Sequence, residues 1–313
     1  MDTLLHDMNW VVPLRSEAAT AFFYAVTSLG HTPFVLLLLS LGYWIGDKKA
    51  FTRLAVLVLA TAIFNAFLKD WFQDPRPDPR FVVDGRVLHS FGMPSGHAQV
   101  SVVLWFWLAY ETRRARAYLF ASVMVALIIF SRLYLGVHDV EDVTVGALLG
   151  AGGLLLFRAM LSPSLGFWRT LNPWVLLALV VGAQLAVFAA WPGSGPPAGI
   201  LSTGGLMTGW LAGVEIDRRY VRFRKSDDGW RVALCGIAGA AVILLLLVFE
   251  GPRASSMHAG PSVLSYAKAM VLGSLISVVV PLLFQKLGLA GRIEKAVPSP
   301  VPDRVDDFPP DRP

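Results

Sequence analysis

Residues 131–160 read SRLYLGVHDVEDVTVGALLGAGGLLLFRAM, and the way this stretch divides decides the fold. Its first part gathers Ser131, Arg132, His138, Asp139, Glu141 and Asp142, and from Val143 to Phe157 the chain is almost wholly apolar. An apolar segment of about 20 residues suits a helix that crosses a bilayer. Ionisable groups held at the end of such a segment are costly to keep, which marks them as functional candidates. Two strings upstream share this character: Lys69-x6-Arg76-Pro77 closes one apolar run, and Pro94-Ser95-Gly96-His97 opens another.

Further apolar runs fill the chain, near 32–46, 49–72, 95–111, 114–136, 138–160, 172–192, 197–215, 229–250 and 262–288. Only 16% of the 313 residues are charged and 55% are hydrophobic, with mean hydropathy +0.58, where a soluble domain carries about 25% charged residues. The expected fold class is an all-α integral membrane protein with about nine transmembrane helices. Residues 14–29 are too short to span; with Ser16 as a cap and Ala18, Phe22, Val26 and Leu29 on one face, they read as an interfacial helix. The organisation is then an interfacial segment (1–30), a catalytic membrane core (31–160), additional transmembrane helices (161–289) and a Pro-rich, charged tail (290–313) expected to be disordered. Phe81-Val-Val, Asp84-Gly85 and Arg86-Val-Leu suggest a short hairpin between the first two strings. Gly146, Gly150, Gly152 and Gly153 are expected to mark close helix packing, and Trp71, Trp191 and Trp210 an aromatic belt.

The net charge of +5 is spread by loop and excludes a nucleic-acid-binding patch. Lys48, Lys49 and Arg53 follow the first run, Arg113, Arg114 and Arg116 the third, Arg158 and Arg169 the fifth, and Arg218, Arg219, Arg222, Arg224 and Lys225 the seventh. The alternate loops are poor in charge. By the positive-inside rule the basic loops are cytoplasmic. This places the three strings at the outer face and the carboxyl end inside, in the inner membrane if the source is bacterial. The lone Cys235 excludes an internal disulfide and a Cys-based metal site.

As chemistry, the strings form a phosphoryl-transfer set. Lys69, Arg76 and Arg132 are three cations able to hold a phosphate. Ser95 and Gly96 offer a hydroxyl and an unhindered N–H at a helix start, where anions are already favoured. His138 and Asp142 lie four apart, on one face of the expected helix, as a histidine nucleophile oriented by a carboxylate would be. His97 is a suitable acid near neutral pH. No His/Cys/Asp/Glu cluster has metal-ligand spacing, so catalysis without metal or other cofactor is expected.

The eleven specified positions from Lys69 to Asp142 resemble the signature of the type 2 phosphatidic acid phosphatase superfamily, the lipid phosphate phosphatases. The resemblance implies a six-helix-type core followed here by extra helices, and a lipid phosphate substrate drawn from the bilayer. It makes His138 the nucleophile that forms a phosphohistidine, Asp142 its orienter and His97 the proton donor. Lys69, Arg76, Ser95, Gly96 and Arg132 would bind phosphate. A nine-span topology looks most like the sphingosine-phosphate phosphatase and glucose-6-phosphatase branch. Competing readings are a phosphotransferase to a lipid or sugar acceptor, a sugar-phosphate phosphatase, and a transport or interaction protein with a vestigial site. The sequence carries no signal for an oligomeric state.

Overall fold

The computed structural model describes residues 5–85, 90–162, 165, 168, 170–193, 195–250 and 263–293. A 3-10 turn, Asn9–Leu14, leads into α1 (Glu17–Ser28), α2 (Thr32–Ile45), α3 (Lys48–Phe72), α4 (Gly96–Thr112), α5 (Ala115–Tyr134) and α6 (Val140–Met160). The second half holds α7 (Pro173–Ala189), α8 (Ala198–Ile216), α9 (Gly229–Glu250), α10 (Val263–Ser274) and α11 (Val280–Lys286). Two short strands, β1 (Phe223–Arg224) and β2 (Gly291–Arg292), pair antiparallel, so the segment expected as a tail begins ordered and is described as far as Ile293. Helix starts are capped where the sequence offers oxygen: Ser16 Oγ accepts from Ala19 N–H at 3.2 Å, and Asp47 Oδ1 from Lys49 and Ala50 at 2.8 and 3.0 Å. Each cap satisfies a donor that the helix leaves open.

Every apolar run becomes helix, and the all-α membrane architecture holds. The count of nine spans is not confirmed. Among the described residues, five helical stretches are long and apolar enough to cross a membrane, and six if the α1–α2 pair, bent by 49°, is one broken span. The shortfall has a physical source. α4 carries the buried polar residues Gln99 and Ser101, α8 is rich in glycine and packs on α3 and α10, and α7 has only 17 residues. Helices that face protein on most sides need not be uniformly apolar.

The core, α1 to α6, runs so that the ends of α3 and α5 meet the starts of α4 and α6. The opposite ends are basic and also converge. Arg53 of α3 pairs with Glu111 of α4 at 2.9 Å, the Arg158 guanidinium lies 5.4 Å from the Tyr110 ring centre, and Lys48 pairs with the buried Asp217 just past α8. The later helices are joined to the core at both ends. Trp191 Nε1 donates to Asp70 at 2.8 Å beside the end of α3. At the other end Tyr43 and Trp44 donate to the carbonyls of Ser277 and Ile276, at 3.2 and 2.8 Å, within a π-helical turn between α10 and α11. Trp191 and Trp210 are therefore core residues, and of the three expected belt tryptophans Trp71 alone is exposed.

The glycines of α6 divide in two. A Cβ at Gly146 would lie 2.5 Å from Ser95 O, and one at Gly150 2.7 Å from Gln99 O, so these two let α6 approach α4. Gly152 and Gly153 face open space, against expectation: Gly152 is turned away from the Gly146 side, and Gly153, two turns beyond Gly146 on that side, has no neighbour within 4 Å. Phe81 closes a 3-10 turn, and Val83 N–H bonds to Leu135 O at 2.9 Å; residues 86–88, the second arm of the expected hairpin, lie outside the described residues.

The contrast within α6 is testable. Gly146→Ala should lower the melting temperature in detergent, as overpacking costs about 1–3 kcal/mol. Gly153→Ala should hold or raise it through helix propensity worth about 1 kcal/mol. Equal effects of the two would refute the close approach at Gly146.

Candidate active site

The site is assembled where α3 ends, α4 and α6 begin, and the turn after α5 passes between them. α3 terminates at Phe72 because Gln73 adopts a left-handed conformation (φ 52°) and returns its N–H to Lys69 O at 2.9 Å. The helix therefore stops before Pro75, ended by its own cap rather than by a proline. Lys69, one turn from the end and only 8% exposed, donates from Nζ to Phe91 O and Gly92 O, both at 2.6 Å. Arg76, in the loop beyond, donates to Ser90 O at 2.6 Å, Ser90 Oγ at 2.9 Å and Val137 O at 2.6 Å. Arg132, 1% exposed in the last turn of α5, reaches Thr27 Oγ1 at 2.5 Å. Lys69 and Arg76 are thus held by neutral oxygens, which orient them, and Arg132 has the Thr27 hydroxyl among its contacts.

The second string caps α4. Ser95 Oγ accepts from Ala98 N–H at 3.5 Å, and Asn65 of α3 braces the turn by donating to Pro94 O at 3.0 Å and Gln99 Oε1 at 2.8 Å. A side chain at position 96 would press on Asn65 Oδ1, at 2.9 Å from its Cβ, so glycine belongs there. Ser95 N–H donates to Asp142 O at 2.9 Å, which locks the second string to the third.

The third string places His138 before α6 rather than on it. Asp139 is the cap, its Oδ1 accepting from Asp142 N–H at 3.0 Å, while Asp142 Oδ2 lies 3.4 Å from Asp139 N in the reciprocal contact. The expected shared helix face is therefore a capping turn, and it still brings His138 Nδ1 within 2.7 Å of Asp142 Oδ2. A carboxylate there accepts from Nδ1–H, which leaves the Nε2 lone pair free of that bond. Nε2 stands 3.5 Å from Arg76 Nη1. Burial first, then the charges of Lys69, Arg76 and Arg132, hold the His138 imidazole well below its ordinary pKa of 6.5, so it is neutral. A neutral imidazole with one nitrogen anchored and the other turned to a cationic pocket is equipped to attack phosphorus. His97, in the first turn of α4, has Nε2 buried with no hydrogen-bond partner. Asp142 Oδ1 is likewise buried and unbonded. Among the described residues no group of three His, Cys, Asp or Glu stands close enough to hold a metal ion.

Spacing along the chain missed three residues contributed by the first two helices and the segment before them. Thr27 fixes Arg132. His31 sets its ring edge-on to His97, centres 4.9 Å apart at 82°, and Gly30 packs on the same ring. His6 bonds Asp139 at 2.7 Å and Glu141 at 3.1 Å. Nothing in the local sequence of His6 and His31 sets them apart from ordinary polar residues near a membrane interface. A polar Asn65 within an apolar run signals a partner on another helix, but its sequence position does not mark it as the brace of the second string.

Comparison with known proteins bears on this geometry. Residues 50–164 match the family model described as the PAP2 superfamily, and residues 201–292 one described as a PAP2 superfamily phosphatase, transmembrane extension. Sphingosine-1-phosphate phosphatase 2 of Mus musculus is 31% identical over 132 residues, 40% of this chain and 37% of its own length. Phosphatidylglycerophosphatase B of Bacillus subtilis is 33% identical over 145 residues, 42% of this chain and 68% of its own length. The chain therefore spans little more than a third of the first relative and about two thirds of the second. A crystal structure of a transmembrane PAP2-type phosphatidylglycerolphosphate phosphatase from Bacillus subtilis aligns over 49% of this chain and 81% of its own, with TM-score 0.44 and 24% identity.

The neutral state of His138 can be read directly. In a ¹⁵N-histidine NMR titration, the signal lost in His138→Gln should keep the neutral-imidazole pattern as pH falls through 6.5. Because the shift is downward, charging belongs only to pH values below that. A midpoint at or above 6.5 would contradict the electrostatics described.

Proposed function

This chain belongs to the PAP2 superfamily, and on that premise we propose that it is an integral-membrane phosphatase that removes the terminal phosphate of a lipid phosphate or diphosphate, through a phosphohistidine on His138. The observation that carries the reading is the 2.7 Å contact between His138 Nδ1 and Asp142 Oδ2, with Nε2 turned toward the cations. Nε2 attacks phosphorus, the bond from phosphorus to the lipid oxygen breaks, and its electron pair stays on that oxygen. His97 supplies the proton the leaving oxygen requires. The phosphorylated imidazole keeps its Nδ1–H and carries positive charge, which Asp142 stabilises. Water then attacks phosphorus and gives a proton to His97, and the P–N bond breaks to restore His138 and release phosphate.

Lys69, Arg76 and Arg132, with the Ser95–Gly96 turn, would bear the charge on the phosphoryl oxygens, work that other phosphotransferases give to Mg²⁺. The substrate class follows from the names of the relatives, which act on a sphingoid and a glycerophospholipid phosphate, and from the helices that surround the site. The outer face is supported by the converging basic ends of α3, α4, α6 and α8, which lie opposite the motifs and favour the cytoplasmic side.

Purified protein in detergent should release phosphate from a lipid phosphomonoester, and His138→Ala should abolish this while leaving the melting temperature near wild type. Asp142→Asn should keep a residual rate, as an orienting carboxylate does not itself bond to phosphorus. Labelled substrate should leave acid-labile, alkali-stable phosphate on the wild type and none on His138→Ala. Activity should survive EDTA, and vanadate should inhibit by imitating five-coordinate phosphorus. Turnover by His138→Ala comparable to wild type would end this reading.

Sidedness has its own measurement. In a Cys235→Ser background, Pro192→Cys should react with a membrane-impermeant thiol reagent in intact cells. Arg222→Cys should react only after permeabilisation. The reverse pattern would move the site to the cytoplasmic leaflet.

A further inference from the structure

Residues 5–14 lie across the turn that carries His138. Leu5 O accepts from Val140 N–H at 3.1 Å, and the buried Met8 and Val11 pack with Phe81, Ala98, Leu133 and Val143. This strap places His6 over the start of α6, with Nδ1 2.7 Å from Asp139 Oδ2 and Nε2 3.1 Å from Glu141 Oε2. A neutral imidazole has one N–H and can donate to only one of these carboxylates; an imidazolium donates to both. A ring with a carboxylate at each nitrogen has the surroundings of the charged form.

What His6 touches leads directly to the nucleophile. Asp139 gives Oδ2 to His6 and Oδ1 to Asp142 N–H, at 3.0 Å. Asp142 Oδ2 is in turn the atom that holds His138 Nδ1. Asp139 and Asp142 are neighbouring buried carboxylates, and a cation on the first offsets its repulsion of the second. We infer that His6 is a positioning residue: as an imidazolium it latches the strap onto Asp139 and Glu141, and through Asp139 it steadies the His138–Asp142 pair. The inference rests on the reading of His138 as nucleophile. The strap lies upstream of residue 50, where the family match begins.

The latch is sensitive to pH. The charged groups that bear on His6 are Asp139 and Glu141 from α6 and Asp74 from the loop after α3, all negative. They raise its pKa above 6.5, the hydrogen bond to Asp139 being the largest cause. A raised value means that the latch is complete below pH 6.5 and is released as pH rises through the shifted value.

The test compares wild type, His6→Gln and His6→Arg as full chains in detergent, by melting temperature and by kcat/KM for phosphate release from a lipid phosphomonoester across pH. Arginine keeps a charge that can reach two carboxylates. Below pH 6.5, His6→Gln should fall about fivefold in kcat/KM, the scale of a single partly exposed ion pair, and should melt lower than wild type. Both differences should close as pH rises, whereas His6→Arg should keep the low-pH values throughout. A gap between His6→Gln and wild type that does not change with pH would overturn the latch. A pH-dependent gap in melting temperature with unchanged kcat/KM would overturn its action on the nucleophile. If the wild type released no phosphate from any lipid, the functional reading would fail instead, and the melting comparison would still decide the latch.

Discussion

Three cations held at one end of an apolar bundle set the terms for everything around them. Lys69 and Arg132 are buried, Arg76 reaches in from a loop, and the groups that orient them include backbone carbonyls and hydroxyls. Asp142 and Asp74 bear on Lys69 against them, fewer carboxylates than cations. Unbalanced charge in a low-dielectric setting is expensive, and a phosphate dianion is the ligand that would balance it. The surrounding structure follows from holding that excess in place. Asn65 braces the turn before α4, Thr27 comes from α1 to fix Arg132, and the 90–92 segment wraps its carbonyls around Lys69 and Arg76.

Asp142 links this electrostatic problem to the packing. Its carboxylate orients His138, its N–H is capped by Asp139, and its C=O takes the N–H of Ser95. One residue thereby registers α6 against α4, and Gly146 permits the approach that the Ser95 bond requires. The geometry of the candidate site and the contact between these helices are the same contact.

The eleven motif positions were legible because spacing along a chain is enough to reveal groups that share one turn or one helix end. So were the helices, from the length of the apolar runs. His138 leaving the helix was not, since an i, i+4 pair looks the same whether the first member is helical or sits just before the cap. The count of nine spans is not confirmed among the described residues, because α4 and α8 trade apolar surface for glycine and polar residues where they meet other helices. Gly153 and Trp210 were misplaced for a related reason: composition tells what a residue tolerates, and only the packed neighbours tell which way it faces. Thr27, His31 and His6 lay beyond reach altogether. They come to the site across more than sixty residues of chain, and no local pattern announces such a meeting.

α3 joins the two ends of the molecule in a single unbroken helix. Lys48 at its start is tied to Asp217 and to Phe223 O, and Lys69 near its finish belongs to the site. At 1.5 Å per residue those two lysines are separated along the axis by about 32 Å, close to the roughly 30 Å of a bilayer's hydrocarbon core. The helix therefore acts as a ruler, fixing the height of the pocket around Lys69 above the opposite membrane face. In a thinner bilayer the pocket stands clear of the headgroups, and in a thicker one it sinks beneath them unless the bundle tilts. On the proposed function, membrane thickness, a property of the lipids and not of any single substrate, then becomes one of the quantities that decide which phosphates would reach His138.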